Sequence, residues 1–126
     1  MQSPSNLRIT AHSRALAVRV YRVTSDFPHL ERFGLTSQMR RAAISIGSNI
    51  SEGCGRSGDK ELVQFLHIAL GSASELEFQA LVASDLAFLS ADAAPILLDE
   101  INHTKRMLLK LITAVRRRAS RPSVKP

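Results

Sequence analysis

The sequence is poor in cysteine and aromatic residues: its 126 residues include one cysteine, Cys54, one tyrosine and no tryptophan. With one cysteine, no intramolecular disulfide can form and a zinc site built from several cysteines is excluded. No run of 18 apolar residues occurs, and the first ten residues contain no apolar leader segment. We therefore expect a cytoplasmic protein with no membrane partner.

Catalytic motifs are equally scarce. The four histidines are scattered one to a segment, and the di-iron bundle signature, a Glu-x-x-His motif on each of two helices, is missing: His12, His29, His67 and His103. Glycine-rich nucleotide loops are missing, and Cys54 has no neighbouring histidine or lysine that would activate its thiol. The sequence predicts neither an enzyme nor a cofactor or metal site.

Apolar residues, in contrast, recur at helical spacings of three and four in four segments. The first helix is predicted over about 11–25, and the second begins at Thr36 as N-cap. An alanine-rich helix over about 59–89 follows, and Ser90 caps a fourth. No alternating strand pattern occurs, so we predict an all-α protein, an up-down-up-down antiparallel four-helix bundle. Residues 1–10 are expected to form a mobile N-terminal segment, 11–117 the bundle and 118–126 a basic flexible tail.

The charge is concentrated at the end of the chain. There are 17 Lys+Arg against 11 Asp+Glu, a formal net charge of +6. The last eleven residues hold five basic side chains and no acid: Arg116, Arg117, Arg118, Arg121 and Lys125. Without them the body is almost neutral. Such a segment is either a solvated terminus or an arm that contacts nucleic acid.

Two polar stripes accompany the predicted apolar seams. On the second helix the stripe comprises Gln38, Arg41, Ser45, Asn49 and Glu52, and on the third it comprises Ser72, Glu75 and Gln79. In one interpretation the stripes pair internally, with Arg40 or Arg41 reaching Glu75, and with Asn49 and Glu52 capping the glycine-rich turn. In the other, Arg40, Arg41 and Arg56 form a phosphate-contacting patch or a subunit joint.

Two segments carry a resemblance: FPHLERFGLTSQMRRAAISIGSNISEGCGR, residues 27–56, and FLHIALGSASELE, residues 65–77. Together they resemble the four-helix-bundle protein family of the intervening sequences in bacterial 23S ribosomal RNA genes. The matching motif positions are Gln38, Arg40, Arg41, Asn49, Glu52, Gly53, Arg56, Ser72, Glu75 and Glu77. The resemblance implies the same fold and a homo-oligomer, typically a pentamer. It also implies kinship with the accessory protein of diversity-generating retroelements, which is thought to bind RNA or DNA and a reverse transcriptase.

Two functional hypotheses follow. The first is a non-enzymatic nucleic-acid-binding accessory protein, with RNA as the expected ligand, acting as a homo-oligomer through arginine–phosphate contacts. Its contacts would come from Arg40, Arg41 and Arg56 and from the arginines at 116–118. The second is a structural or protein-interaction module with no nucleic-acid role. Apolar side chains beside the main seams, such as Val18, Tyr21 and Ile96, favour an oligomer or a broadly covered monomer core.

Overall fold

The structure is a computed structural model that describes residues 3–121. It contains four long α-helices and no strand in that range: α1 (Pro4–Thr24), α2 (Leu35–Cys54), α3 (Asp59–Asp85) and α4 (Ala93–Ala119). A short 3₁₀ turn, His29–Glu31, joins α1 to α2. Each helix packs against the next along the chain, and α1 also packs against α4. The prediction of an all-α protein with four helices is therefore confirmed.

One apolar core runs between the four helices. Each helix contributes residues at three- and four-residue spacing, and the largest side chains that are fully buried include Leu16, Ile46, Leu66 and Leu108. The α3 seam is built from alanines and leucines, as its pattern predicts. Small side chains on a helix seam allow a close approach of the neighbouring helix axes. None of the described helices is both long enough and apolar enough to cross a bilayer.

The first helix begins earlier than predicted. Residues 3–10 belong to the start of α1 instead of forming a mobile segment, because the Ser3 side chain accepts a hydrogen bond from the Asn6 N–H. Pro4 occupies the first turn, where a missing N–H costs nothing. Ile9 then adds a fully buried side chain to the core. Met1 and Gln2 lie outside the described residues.

The boundary between α1 and α2 also differs from the prediction. Thr36 is not the N-cap of α2 but a buried residue of its first turn. The capping role falls to Glu31, whose Oε1 accepts from the Leu35 N–H at 3.0 Å. Gly34 leaves room for this carboxylate, because an added Cβ would lie 2.8 Å from Glu31 Oε1.

The ends of α3 and α4 correct two further boundaries. α3 stops at Asp85 instead of near residue 89, and Ala87 adopts a left-handed φ of 61° just after it. Ser90 does accept from the Ala93 N–H, as its capping prediction requires. α4 continues to Ala119, so Arg118 is helical and the predicted tail over 118–126 begins too early. Lys125 lies in 122–126, outside the described residues.

Candidate functional site

Arg40 is held inside the α1–α2 junction. Its Nε donates to Thr24 Oγ1 at 2.9 Å and its Nη2 to the Tyr21 carbonyl at 3.3 Å. The guanidinium also lies over the Tyr21 ring, 4.7 Å from the centroid. These contacts join the end of α1 to the start of α2, so Arg40 is directed away from Glu75, and its Nε and Nη2 both donate within the protein. The cation thus covers one face of the Tyr21 ring, which is then not free for base stacking.

The neighbouring polar positions are open to solvent. Arg41, Gln38 and Glu75 are all exposed, and no ion pair joins either arginine to Glu75 among residues 3–121. Arg56 lies 16 residues beyond Arg40, which corresponds to roughly 24 Å along a helix at 1.5 Å per residue. The three arginines predicted to form one patch are therefore divided between the two ends of α2.

The central part of the two polar stripes does meet. Ser45 Oγ lies 2.8 Å from Ser72 Oγ, across the α2–α3 interface. Asn49 donates to the carbonyl and the hydroxyl of Ser45, at 2.8 and 3.1 Å. Asn49 therefore belongs to this small network instead of capping the glycine-rich turn. The network stabilises packing of α2 on α3 and leaves little capacity for a ligand.

The turn between α2 and α3 combines close packing with charge. An added Cβ at the buried Gly53 would lie 2.8 Å from Phe65 Cβ and 3.1 Å from Leu62 Cδ1, so only glycine allows this approach. Arg56 donates to Glu52 Oε1 at 2.6 Å and lies 5.3 Å from the centroid of the Phe65 ring. Arg56 is thus paired within the turn, a contact that neither interpretation of the polar stripes predicted.

The end of α4 lies beside the start of α3. Arg118 donates to both carboxylate oxygens of Asp59, at 3.0 and 2.8 Å. The hydrogen bond from Arg118 lowers the pKa of Asp59, and the same bond raises the pKa of Arg118. Bidentate pairs of this kind fix orientation as well as charge. Arg118 therefore fastens the two helix ends together and is not a flexible tail residue.

Four exposed cations lie at the same helix ends, within three residues of Asp59 or Arg118 in the chain. We call them the basic end: Lys60, Arg116, Arg117 and Arg121. None has an acidic partner among residues 3–121. Arg116 Nη2 lies 2.8 Å from His67 Nε2, on the rim of a groove of about 840 Å³ between α3 and α4. The C-terminus of α4 also favours cations through its dipole.

A second surface lies between α1 and α2. Two neighbouring grooves of about 440 and 590 Å³ share Arg14, Ala17 and Ile44 in their linings. We call them together the α1/α2 groove. Its most exposed apolar side chains are Val18, Tyr21 and Ile44, between 43% and 47% exposed. The surface is apolar with a cationic rim, which is typical of a protein contact more than of a phosphate site.

Two titratable side chains, His12 and Cys54, are partly buried, and their neighbours change their pKa values. The His12 and His103 rings meet edge to face across α1 and α4, with centroids 4.7 Å apart. Burial, followed by the nearby His103, lowers the pKa of His12, and Glu100 opposes this shift. Burial raises the pKa of the Cys54 thiol, which therefore stays protonated near neutral pH. No cluster of three potential metal ligands occurs within residues 3–121.

Some positions carry roles that the sequence did not assign. Glu77, a motif residue, accepts from Lys105 Nζ at 2.9 Å and ties α3 to α4. Phe33 and Phe78 are 83% and 68% exposed, although aromatic residues are usually read as core. Phe78 lies on the side of α3 opposite the alanine seam, and this spacing alone would predict that its side chain is exposed. On α4, Ile112 is a core residue, 2% exposed, whereas Ile96 is 49% exposed.

These observations define a four-helix, all-α protein with a cationic end and an apolar groove, and comparison with known proteins gives its family. The 23S rRNA-intervening sequence protein family matches residues 5–110. The chain belongs to this family. No curated protein matches the sequence.

A solved structure supports the fold. It is the 1.70 Å crystal structure of a protein with unknown function from the S23 ribosomal protein family of Bacteroides thetaiotaomicron. The TM-score is 0.80 at 20% sequence identity, and the match covers 86% of this chain and 98% of the other. At this identity the likeness establishes the fold and not the function.

Proposed function

We propose that this protein is a non-enzymatic RNA-binding accessory protein that acts as a cytoplasmic homo-oligomer. The observation that carries the proposal is the basic end, where Lys60, Arg116, Arg117 and Arg121 gather without acidic partners in the part of the chain that the structure describes. Arginine suits phosphate because its planar guanidinium donates two parallel hydrogen bonds. An oligomer would present several copies of this surface to one RNA and raise the effective affinity.

The predicted contact residues differ in their suitability for this role. Arg117 is the best placed, Arg116 is exposed with its one contact to the neutral side chain of His67, and Arg41 is an exposed secondary candidate at the other end of α2. Arg40, Arg56 and Arg118 are engaged within the protein. These three arginines could bind a phosphate only if their contacts within the protein were broken. The proposed contacts are therefore the four cations of the basic end, with Arg41 as an addition.

Three further expectations belong to this proposal. The helix contacts and the pairing of Arg118 with Asp59 support the up-down-up-down order, since they bring the end of α4 to the start of α3. A pentamer is the assembly that the family resemblance implies. Kinship with the retroelement accessory protein favours a nucleic-acid ligand and stays a prediction.

Fluorescence anisotropy of a labelled RNA hairpin tests the proposal, using nuclease-treated protein and salt between 50 and 200 mM. We expect saturable binding that weakens steeply with salt, because bound cations displace condensed counterions. The double variant Arg116→Gln/Arg117→Gln should reduce the slope of log K against log salt by about 1.5 per bound protomer. A labelled DNA hairpin of the same sequence measures the preference for RNA.

The matched control is Arg32→Gln/Arg106→Gln, which removes the same charge from exposed positions elsewhere on the bundle. It should leave the slope close to that of the unchanged protein. Equal effects of the two double variants would mean that net charge, and not the basic end, drives binding. Unchanged anisotropy at tens of micromolar protein would overturn the RNA-binding proposal.

A protein-interaction module is the second candidate, and the α1/α2 groove is the observation that favours it. Val18, Tyr21 and Ile44 give this surface an apolar centre that contributes nothing to phosphate binding. In this case a partner protein should remain bound at high salt, because apolar contacts are not screened. Co-purification at 1 M salt, compared between the unchanged protein and Ile44→Glu, separates this function from the first.

A further inference from the structure

The outer face of α3 carries two exposed apolar side chains, Ile68 and Phe78, where solvent exposure would favour polar residues. Ile68, Gly71, Glu75 and Phe78 follow steps of three, four and three and therefore share one side of the helix. Ile68 is 52% exposed and Phe78 is 68% exposed. A helix that is apolar on its outer face as well as its core face is typically buried on both sides.

Gly71 strengthens this observation. An added Cβ at Gly71 would have no atom within 4 Å, so nothing inside the protomer requires glycine there. Glycine in the middle of a helix costs about 1 kcal/mol relative to alanine. The position is explained if another chain approaches the α3 backbone closely beside the Phe78 side chain.

Acidic residues lie on the same side of α3, before and after Phe78. Glu75 and Asp85 are exposed, and neither forms an ion pair within residues 3–121. We call the surface formed by Ile68, Gly71, Glu75, Phe78 and Asp85 the α3 ridge. Along the helix, the exposed Phe78 ring lies between the carboxylates of Glu75 and Asp85.

The α1/α2 groove is complementary in both shape and charge. Small residues such as Ala17, Ala43 and Gly47 line it and leave space for a large side chain. Arg14 and Arg22 stand on its rim, eight residues apart, or roughly 12 Å along α1. Glu75 and Asp85 are ten residues apart, or roughly 15 Å along α3, so two charge pairs can form at once.

We propose that the α3 ridge of one copy docks into the α1/α2 groove of a second copy. Phe78 packs against Val18 and Ile44, while the ridge carboxylates pair with the rim arginines. The inference rests on the proposed homo-oligomer and names the surfaces that form it. Because ridge and groove are different surfaces, the contact is heterologous, and repetition of it produces a closed ring or an open filament.

Two single variants test this pairing by sedimentation velocity and light scattering. Val18→Glu disables the groove and Phe78→Glu disables the ridge, both at exposed positions. We expect the unchanged protein to form a multimer and each variant alone to be a monomer with unchanged helical circular dichroism. An equimolar mixture of the variants should form a heterodimer and nothing larger, because one intact ridge and one intact groove remain.

Leu30→Glu is the matched control, since Leu30 is 94% exposed and lies on neither surface. It should assemble like the unchanged protein. Assembly that survives Val18→Glu or Phe78→Glu would overturn the ridge–groove pairing while leaving the proposed homo-oligomer intact. Monomeric variants that do not form a heterodimer on mixing would also overturn it. A monomeric unchanged protein would overturn both, whereas the RNA titration reports on the basic end separately.

Discussion

The α1/α2 groove and the basic end are both rich in arginine, but they use it differently. In the groove, Arg40 donates to Thr24 and Tyr21, and the remaining cations stand around an apolar centre. At the basic end, Arg118 is paired with Asp59, and the surrounding cations have no acidic partner in residues 3–121. The comparison shows that the number of arginines on a surface does not decide what it binds. The residues around each arginine decide whether the surface favours a protein contact or a phosphate contact.

The largest effect is expected from Gly53→Ala, which acts on the packing beneath the basic end. The new methyl group would lie 2.8 Å from Phe65 Cβ, so α2 and α3 must separate. We expect a loss of about 2–3 kcal/mol in the free energy of unfolding, as for other overpacked sites. Urea denaturation measures it. Gly71→Ala, made together with Phe78→Glu so that the proposed docking contact does not contribute, should instead stabilise by about 0.5–1 kcal/mol.

The next largest effect concerns the arginine that holds the groove together. Arg40→Ala removes two hydrogen bonds and the contact with the Tyr21 ring, and should cost about 1–2 kcal/mol of unfolding free energy. Arg41→Ala, at the adjacent exposed position, should change it by less than about 0.5 kcal/mol. Similar losses from the two variants in urea denaturation would contradict a structural role specific to Arg40.

Acidity should separate the α1–α4 contact at His12 and His103 from the basic end. Folding lowers the pKa of His12, which contacts His103, while Glu100 partly offsets the shift and is itself paired with Arg19. The unfolded chain therefore binds a proton at higher pH than the folded protein. Stability should be intact above about pH 6.5 and fall as the pH decreases below it.

Unfolding curves between pH 8 and pH 3 measure this dependence, and His12→Gln should remove part of the decline near pH 6. The pKa of Asp59 is lowered from 3.8 by its bond to Arg118, so that contact is lost only at lower pH. The α1–α4 packing should weaken before the basic end does. A decline that is identical in His12→Gln would assign the acid sensitivity to other groups.

The smallest effect is expected from Asp59→Asn, because exposed ion pairs contribute little. Loss of the pair with Arg118 should cost less than about 1 kcal/mol of unfolding free energy. The released guanidinium should add one phosphate contact and steepen the salt slope of RNA binding by about 0.7. Asp99→Asn removes an exposed carboxylate elsewhere and serves as the control. A slope that does not change would show that Arg118 contacts no RNA.

The predicted and observed structures differ mainly at helix ends. Helical spacing identified all four helices because burial of one face requires it, and the alanine seam of α3 is fully buried. Ser3 and Pro4 were read as a loop although they form a helix start, since both residue types occur in either setting. α4 extends past Arg118, whose side chain donates to Asp59, a residue distant in sequence that local spacing does not identify as its partner.

The candidate site was less predictable than the fold. Six arginines could be singled out by charge, but their grouping depended on where the helices end and which neighbours they meet. Arg40 and Arg56 were assigned to one patch, and α2 separates them by nearly its full length. The pairing of Ser45 with Ser72 could be anticipated as matching stripes, because both lie beside apolar seams that face each other.

By itself, the sequence determined the class of the protein: the four amphipathic segments and the glycine at position 53, together with their family motifs, define the helices and the family. Local spacing is sufficient for this, since each helix must bury its own apolar face. Only the tertiary structure decided which arginines are engaged and which apolar side chains stay outside the core. The contacts of the arginines and the exposure of the apolar side chains both depend on how residues of different helices pack together. Local sequence spacing does not give the distances between those residues.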